Sequence, residues 1–298
     1  MKKILIISLI VVFIILGMIW GINYRALKEI DTSKLDALEY TNYADDIGEG
    51  KVQLNWKYIA AITAVQSKNK IEQVTEEQIK QIGQAFIIKE GNGYKLRSLE
   101  DVLTELNFNN REKKRVHTYL QQLEYFGIVP ESVAKDSEQM NFINNIKASA
   151  IENYKKYGIL PSITIAQAIL ESDFGRSDLA IKGSNLFGIK ADANYSGEKI
   201  KFETKEFHDL VIEDDFRKYD NLNQSIDDHG KFLYSNERYK ENGLFEAKTY
   251  IGQAKALEVA GYSTEEDENG EKIYSKKLIQ LIKEYNLQLI DSGLKENS

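Results

Sequence analysis

The chain of 298 residues contains no cysteine. Disulfides, thiolate chemistry and Cys-ligated zinc are therefore excluded. Histidine is scarce too: His117, His208 and His229 are the three present, and they match neither HExxH nor any other paired-ligand spacing. Histidine-based metal catalysis is not expected, and neither a metal nor a cofactor is called for. Positive charge is in deficit, with 39 Lys and Arg against 46 Asp and Glu, a net charge of −7. A nucleic-acid surface needs positive potential along the phosphates, so no nucleic-acid partner is expected. Apolar material is plentiful: 42% of residues are hydrophobic, with 17 Tyr, 12 Phe and 2 Trp, which excludes a disordered chain. At about 150 residues per domain the length suggests two domains.

The start of the chain speaks to compartment. Ile4 to Ile22 are 19 consecutive residues without a charge. At about 1.5 Å per residue they reach roughly 28 Å, close to the ~30 Å hydrocarbon core of a bilayer. Lys2 and Lys3 precede them and place the N-terminus in the cytoplasm. Trp20 and Tyr24 fall where an outer aromatic belt would lie. The run exceeds the ~7–15 residues of a signal-peptide core, and no Ala-x-Ala-like site follows. We expect residues 1–3 as a cytoplasmic stub, 4–22 as a single retained transmembrane anchor, and everything beyond as extracellular. A cysteine-free outer face is a habit of Gram-positive cells.

Residues 23–50 are polar and acidic with little periodicity and read as a tether. Residues 51–135 read as a small all-helical accessory domain. Thr75 with Gln78 makes a capping-box pattern, followed by Ile79, Ile82, Phe86 and Ile87 at helical spacing. Ser98 and Asn110 open two further helices, and Gly127 with Pro130 ends the run. The character then changes, and residues 138–291 read as a second domain. Residues 198–217 alternate as short strands through Ile200, Phe202 and Thr204 to Val211 and Phe216, and 223–259 and 274–290 return to helix. Asp192-Ala-Asn194-Tyr-Ser196-Gly197 with Glu203 matches a calcium-loop spacing, but the residues after it read as a strand, where that loop needs a helix.

The informative stretch opens at Pro161, a residue suited to a first helical turn. Ile163, Ile165, Ala166, Ala168, Ile169 and Leu170 leave little surface for water, so the helix should be buried. Thr164, Gln167 and Glu171 form one polar stripe on it, facing either a buried network or the floor of a cleft. A carboxyl at the edge of an apolar helix has its charged form disfavoured, and a raised Glu suits a general acid near neutral pH. The alternative is a structural Glu paired with Arg176.

Six pieces recur in order: Tyr157-Gly-Ile-Leu-Pro-Ser, Ala166-Gln-Ala-Ile-Leu-Glu-Ser, Asn185-Leu-Phe-Gly-Ile-Lys, Phe216-Arg-Lys-Tyr, Gly261-Tyr-Ser-Thr, and Tyr274 to Leu278. With them, residues about 140–290 resemble glycoside hydrolase family 73, the bacterial N-acetylglucosaminidases that cut peptidoglycan. The resemblance implies a mainly α, lysozyme-like α+β catalytic domain with a small β-lobe. It implies Glu171 as general acid, and Glu206 in Thr204-Lys205-Glu206-Phe207 as a second carboxylate. It also implies Tyr262 as a tyrosine of the site. Gln167, Phe174, Asn185, Phe187 and Thr264 are the substrate-binding candidates, with Asn185 and Phe187 also shaping the cleft loop. The sequence departs after Tyr262: Ser263-Thr264-Glu265 and an acidic insertion to about Glu271 replace the family's Ala-Thr-Asp-Pro.

The expected function is an endo-β-N-acetylglucosaminidase acting on peptidoglycan glycan strands near the membrane. Two alternatives stand beside it. One is a lysozyme or lytic transglycosylase with the same helix-end Glu. The other is a catalytically weak glycan-binding scaffold whose anchor and helical domain recruit an integral-membrane partner.

Overall fold

The computed structural model describes residues 14–18, 29–128, 137–206 and 210–294, and the side chains of 203–212 are outside that description. Of the expected span 4–22, residues 14–18 are helical and the rest lies outside the described residues. Among the described residues, no helix is long and apolar enough to cross a membrane. The chain divides into two compact units. One comprises the described residues up to Ile47, Trp56–Ile88 and Arg97–Phe126, and the other comprises Gly48–Asn55, Lys89–Leu96 and the described residues from Gly127 onward.

The first unit is built on helices α1 (Ala37–Gly48), α2 (Trp56–Gln66), α3 (Glu76–Ala85), α4 (Leu99–Glu105) and α5 (Asn110–Gln122). α2 is apolar nearly all round and accordingly buried from Trp56 to Val65, apart from Tyr58. The Thr75–Gln78 capping box forms at the start of α3. Ser98 caps α4, and α5 is capped one residue earlier than the pattern suggested, by Asn109 with Glu112. Two corrections concern this region. Part of the expected tether, 37–48, is the packed helix α1, because Tyr40, Ala44 and Ile47 recur at helical spacing and are buried. The accessory region is also not all helical: Ile87–Glu90 (β1) and Gly93–Leu96 (β2) form a hairpin turned at Gly91, whose φ is +57°.

The second unit is helical with one small sheet. Its elements are α6 (Glu138–Tyr157), α7 (Pro161–Ser172), α8 (Asp178–Gly183), β3 (Lys199–Glu206), β4 (Leu210–Arg217), α9 (Leu222–Ser235), α10 (Glu237–Glu241), α11 (Tyr250–Val259), α12 (Tyr274–Glu284) and α13 (Gln288–Gly293). The segment 223–259, read as continuous helix, is three helices broken at Asn236 and over 242–249. β3 and β4 pair antiparallel from Lys199–Arg217 to Glu206–Leu210. The alternation of Ile200 and Phe202 with charged neighbours is the reason for strand rather than helix here. The strand also occupies the place where a calcium loop needs its second helix. Backbone bonds from Ala191 to Asp215 (2.8 Å) and from Arg217 to Ile189 (3.0 Å) join the hairpin to the loop after α8.

α7 is the central helix, packed against α6, α11, α12 and α13. Pro161 is its first residue, as expected, and every residue from Pro161 to Ile169 is buried. Leu160 supplies no side-chain cap. Asp291 of α13 takes that role by accepting from the Ser162 backbone N–H at 3.0 Å and from the Ser162 hydroxyl. Burial pushes the Asp291 carboxyl up to about 7. The other end of α7 stops abruptly: Asp173, Phe174 and Gly175 all lie in the left-handed region, with φ of +50°, +57° and +76°. Two non-glycine residues there carry backbone strain, and they directly follow Glu171 and Ser172.

Candidate active site

A cleft of about 1180 Å3 opens over the C-terminal end of α7. Its lining includes Glu171, Phe187 to Lys190, Asp192, Asn194 to Ser196, residues of α9 and α10, and Tyr262 to Thr264. The volume exceeds the ~300–1,000 Å3 of typical small-molecule sites, which suits several sugar units better than one.

Each member of the α7 stripe has a polar neighbour. Thr164 accepts from the Asn153 side chain at 3.4 Å. Gln167 donates to the Tyr274 hydroxyl at 3.0 Å, and that hydroxyl donates to Glu171 Oε1 at 3.0 Å. The stripe therefore does both things its spacing allowed: it feeds a buried network and ends on a cleft floor. Arg176 is bound to Asp173 at 2.7 Å, so it is not the partner of Glu171. Water reaches Glu171 from the cleft, but protein surrounds its other sides. Desolvation raises its pKa above the ordinary 4.5, the Tyr274 bond opposes that, and the negative charge of Glu265 adds to it.

The rings behind Glu171 are stacked in series. Tyr274 lies 5.3 Å from Tyr262 at an interplanar angle of 24°. The Tyr262 hydroxyl is 3.4 Å from His229 Nε2, and His229 stacks on Phe187 at 3.8 Å. His229 is fully buried, and desolvation pushes it down to about 3, so the ring is neutral. Burial drives the Tyr262 and Tyr274 phenols well above their usual range, so both are protonated donors.

The remaining candidates divide by location. Phe187, Tyr262 and Thr264 line the cleft beside Glu171. Gln167 is completely buried and positions Tyr274 instead of meeting the cleft. Phe174 packs away from the lining, its ring 6.1 Å from Phe142 and 5.5 Å from Tyr285. Asn185 is also buried and spends its amide on the loop: it donates to the carbonyls of Ile189 and Arg217 and accepts from the N–H groups of Phe187 and Ile189. In this structure Gln167 and Asn185 are buried with their amides bonded inside the protein, and Phe174 is not among the cleft-lining residues. Glu206 is the last residue of β3, opposite Leu210, and its side chain lies outside the described residues. Glu265 pairs with Lys277, and the acidic insertion closes into a turn through the Glu266–Lys272 bridge. Among the described residues, no group of three or more His, Asp or Glu could hold a metal ion.

Sequence reasoning missed two parts of this site. Tyr274 opened one of the six pieces of the resemblance, but nothing local marked its hydroxyl as the partner of Glu171. His229 showed no ligand spacing, and its neighbours Phe187 and Tyr262 are distant in sequence. Arg217, in the Phe216-Arg-Lys-Tyr piece, pairs with Asp228 at 2.8 Å, completed by the Tyr219 hydroxyl at 2.6 Å from Asp228, and so joins β4 to α9.

Tyr274→Phe tests the network. The lost hydrogen bond favoured ionised Glu171, so its pKa rises further and the alkaline limb of the pH–rate profile moves to higher pH. The buried Gln167 amide loses its partner, at a cost of about 1–2 kcal/mol in denaturant unfolding. A profile that stays in place would show that Tyr274 does not act on Glu171.

Residues 147–287 match the family model described as Glucosaminidase: Mannosyl-glycoprotein endo-beta-N-acetylglucosaminidase. The chain is 37% identical over 174 residues to the exo-glucosaminidase LytG of Bacillus subtilis, covering 54% of this chain and 58% of that protein. It is 34% identical over 154 residues to the peptidoglycan hydrolase FlgJ of Vibrio parahaemolyticus, covering 50% of this chain and 48% of that one. It therefore spans about half the length of these two relatives. Among solved structures, the catalytic domain of the autolysin Auto from Listeria monocytogenes aligns at 31% identity and a TM-score of 0.47, over 62% of this chain and 98% of that domain.

Proposed function

We propose, from the premise that residues 147–287 belong to the glucosaminidase family, that this chain is a peptidoglycan endo-β-N-acetylglucosaminidase with Glu171 as its general acid. The observation that carries the reading is a carboxyl of raised pKa on the floor of a large cleft, bonded to Tyr274. The bond broken is GlcNAc-β-1,4-MurNAc. Protonated Glu171 gives its proton to the glycosidic oxygen as oxocarbenium-like charge grows on the sugar. The neutral phenol of Tyr262, facing the same cleft, is suited to hold the acetamido group or to stabilise that charge.

The second group is Glu206, by its place at the end of the β-lobe hairpin, or the acetamido oxygen of the substrate itself. A Glu206 that activates water inverts the anomeric centre, and one that attacks directly retains it.

The test is to incubate the full chain with purified peptidoglycan, reduce the products with borohydride and identify the reduced sugar by mass spectrometry. Reduced N-acetylglucosamine on fragments of mixed length is expected. Reduced muramic acid or an anhydro end would move the assignment to a lysozyme or transglycosylase, and disaccharide alone would mean end-wise cleavage.

We further propose that residues 4–22 hold the enzyme at the outer face of a Gram-positive membrane. The support is their 19 uncharged residues behind Lys2 and Lys3. With a net charge of −7, long-range attraction will not retain the protein on an anionic wall, so tethering and short-range contacts must. The first unit then serves as the accessory domain between anchor and catalytic domain.

A further inference from the structure

The cations lining the cleft are of two kinds. Arg217 is neutralised by Asp228 at 2.8 Å and Asp192 at 3.3 Å, and Lys190 by Asp214 at 2.8 Å. Lys231 on α9 and Arg238 on α10 also line the cleft, but neither has a carboxylate within ion-pair distance among the described residues. Both are exposed, and only Ser235 and Asn236 of the lining separate them along the chain after Phe232. In a chain with excess acid, two uncompensated cations on one cleft wall are a specific feature.

Arg238 is linked to the neighbourhood of Glu171 through a series of rings. The Arg238 guanidinium lies 4.7 Å over the Tyr239 ring and donates to its hydroxyl at 2.6 Å. Tyr239 is 6.3 Å from Tyr262, which stacks on Tyr274, the partner of Glu171. A guanidinium held over a ring and bonded to its hydroxyl is pre-organised, and its remaining N–H donors match a planar carboxylate. Lys231 adds a mobile point charge one turn before the α9–α10 break.

We propose that Lys231 and Arg238 form an anion subsite that takes a carboxylate carried by the glycan, and so select which sugar unit sits beside Glu171. The proposal rests on the glucosaminidase reading and adds substrate selection to it. Muramic acid offers such a carboxylate in two ways: the free lactyl group of a strand without peptide, or the acidic groups of an attached stem peptide. A polymer of N-acetylglucosamine alone offers none.

The experiment compares the full chain with its Lys231→Gln/Arg238→Gln variant on peptide-bearing glycan, peptide-stripped glycan and chitin oligosaccharides. Both side chains are exposed, so the variant should fold, and an unchanged melting curve checks this. The expected result is a KM raised about tenfold on a carboxylate-bearing glycan, with kcat little changed and chitin oligosaccharides unaffected. A loss confined to stripped glycan identifies the lactyl group, and one confined to peptide-bearing glycan identifies the peptide. Equal effects on all three substrates, or none on any, overturn the subsite. Calorimetric binding of soluble fragments separates this proposal from the reading beneath it. If carboxylate-bearing fragments bind through the two cations but are not cleaved, the subsite stands and the glucosaminidase reading falls. If fragments are cleaved with no dependence on Lys231 and Arg238, the reverse holds.

Discussion

Glu171→Gln is expected to lower kcat on peptidoglycan by about a thousandfold while leaving the fold intact. Gln keeps the shape of Glu and can still accept from the Tyr274 hydroxyl, so the buried network loses little. What it cannot do is donate an acidic proton to a leaving oxygen. Substrate binding should change less than kcat, because the cleft walls are untouched.

The pH behaviour follows from the sign of the shift. The general acid works protonated, so activity of the parent falls as pH rises through the raised pKa of Glu171. The same shift means that the folded state binds this proton more tightly than the unfolded chain. Stability therefore declines as pH rises from the ordinary carboxyl value to the raised one, and the penalty stays constant above it. Glu171→Gln removes the ionising group, so near neutrality the variant should unfold at an equal or higher denaturant concentration. A variant that retained activity within tenfold would remove Glu171 from the acid role.

How much of this was legible in the sequence depended on how local the cause was. The Thr75 capping box, the Pro161 helix start and the β3–β4 alternation are decided within a few residues, and they were readable. The polar stripe on α7 was readable because a 3.6-residue period fixes which residues share a face. What the stripe meets was not, since Tyr274 lies 103 residues beyond Glu171 and only tertiary packing brings their oxygens together. Helix α1 was missed because 23–50 was read as one polar, acidic stretch, although Leu38, Tyr40, Tyr43, Ala44 and Ile47 within it are apolar. Asn185 was marked by its motif, but a motif does not say whether an amide faces substrate or backbone.

That distinction carries the second large effect. Asn185→Ala is expected to destabilise the protein by about 3 kcal/mol and to lower kcat/KM by tenfold or more. An amide side chain can make four hydrogen bonds, and Asn185 makes all four with backbone: two to carbonyls, at 3.0 and 2.8 Å, and two from N–H groups, at 3.3 and 3.2 Å. Alanine leaves the Phe187 and Ile189 N–H groups without that acceptor in a site only 1% exposed, while the Ile189 carbonyl keeps the Arg217 N–H. A buried unmet donor or acceptor costs about 1–3 kcal/mol, and rehydration from the cleft side offsets part of the total. The functional loss has a separate cause. Asn185 ties the Phe187–Ile189 turn to the end of β4 at Arg217, so it holds one cleft wall to the β-lobe hairpin. Releasing it frees Phe187, and with it the stack on His229 that backs Tyr262. Asn185→Asp discriminates this account from simple loss of volume. Its carboxylate keeps both acceptor contacts but faces two carbonyl oxygens, so it should be no more stable than alanine at neutral pH and should recover on acidification, when it regains a donor. Urea midpoints for both variants give the answer. Changes within about 0.5 kcal/mol of the parent, the range of ordinary surface substitutions, would mean that the loop is held by packing alone.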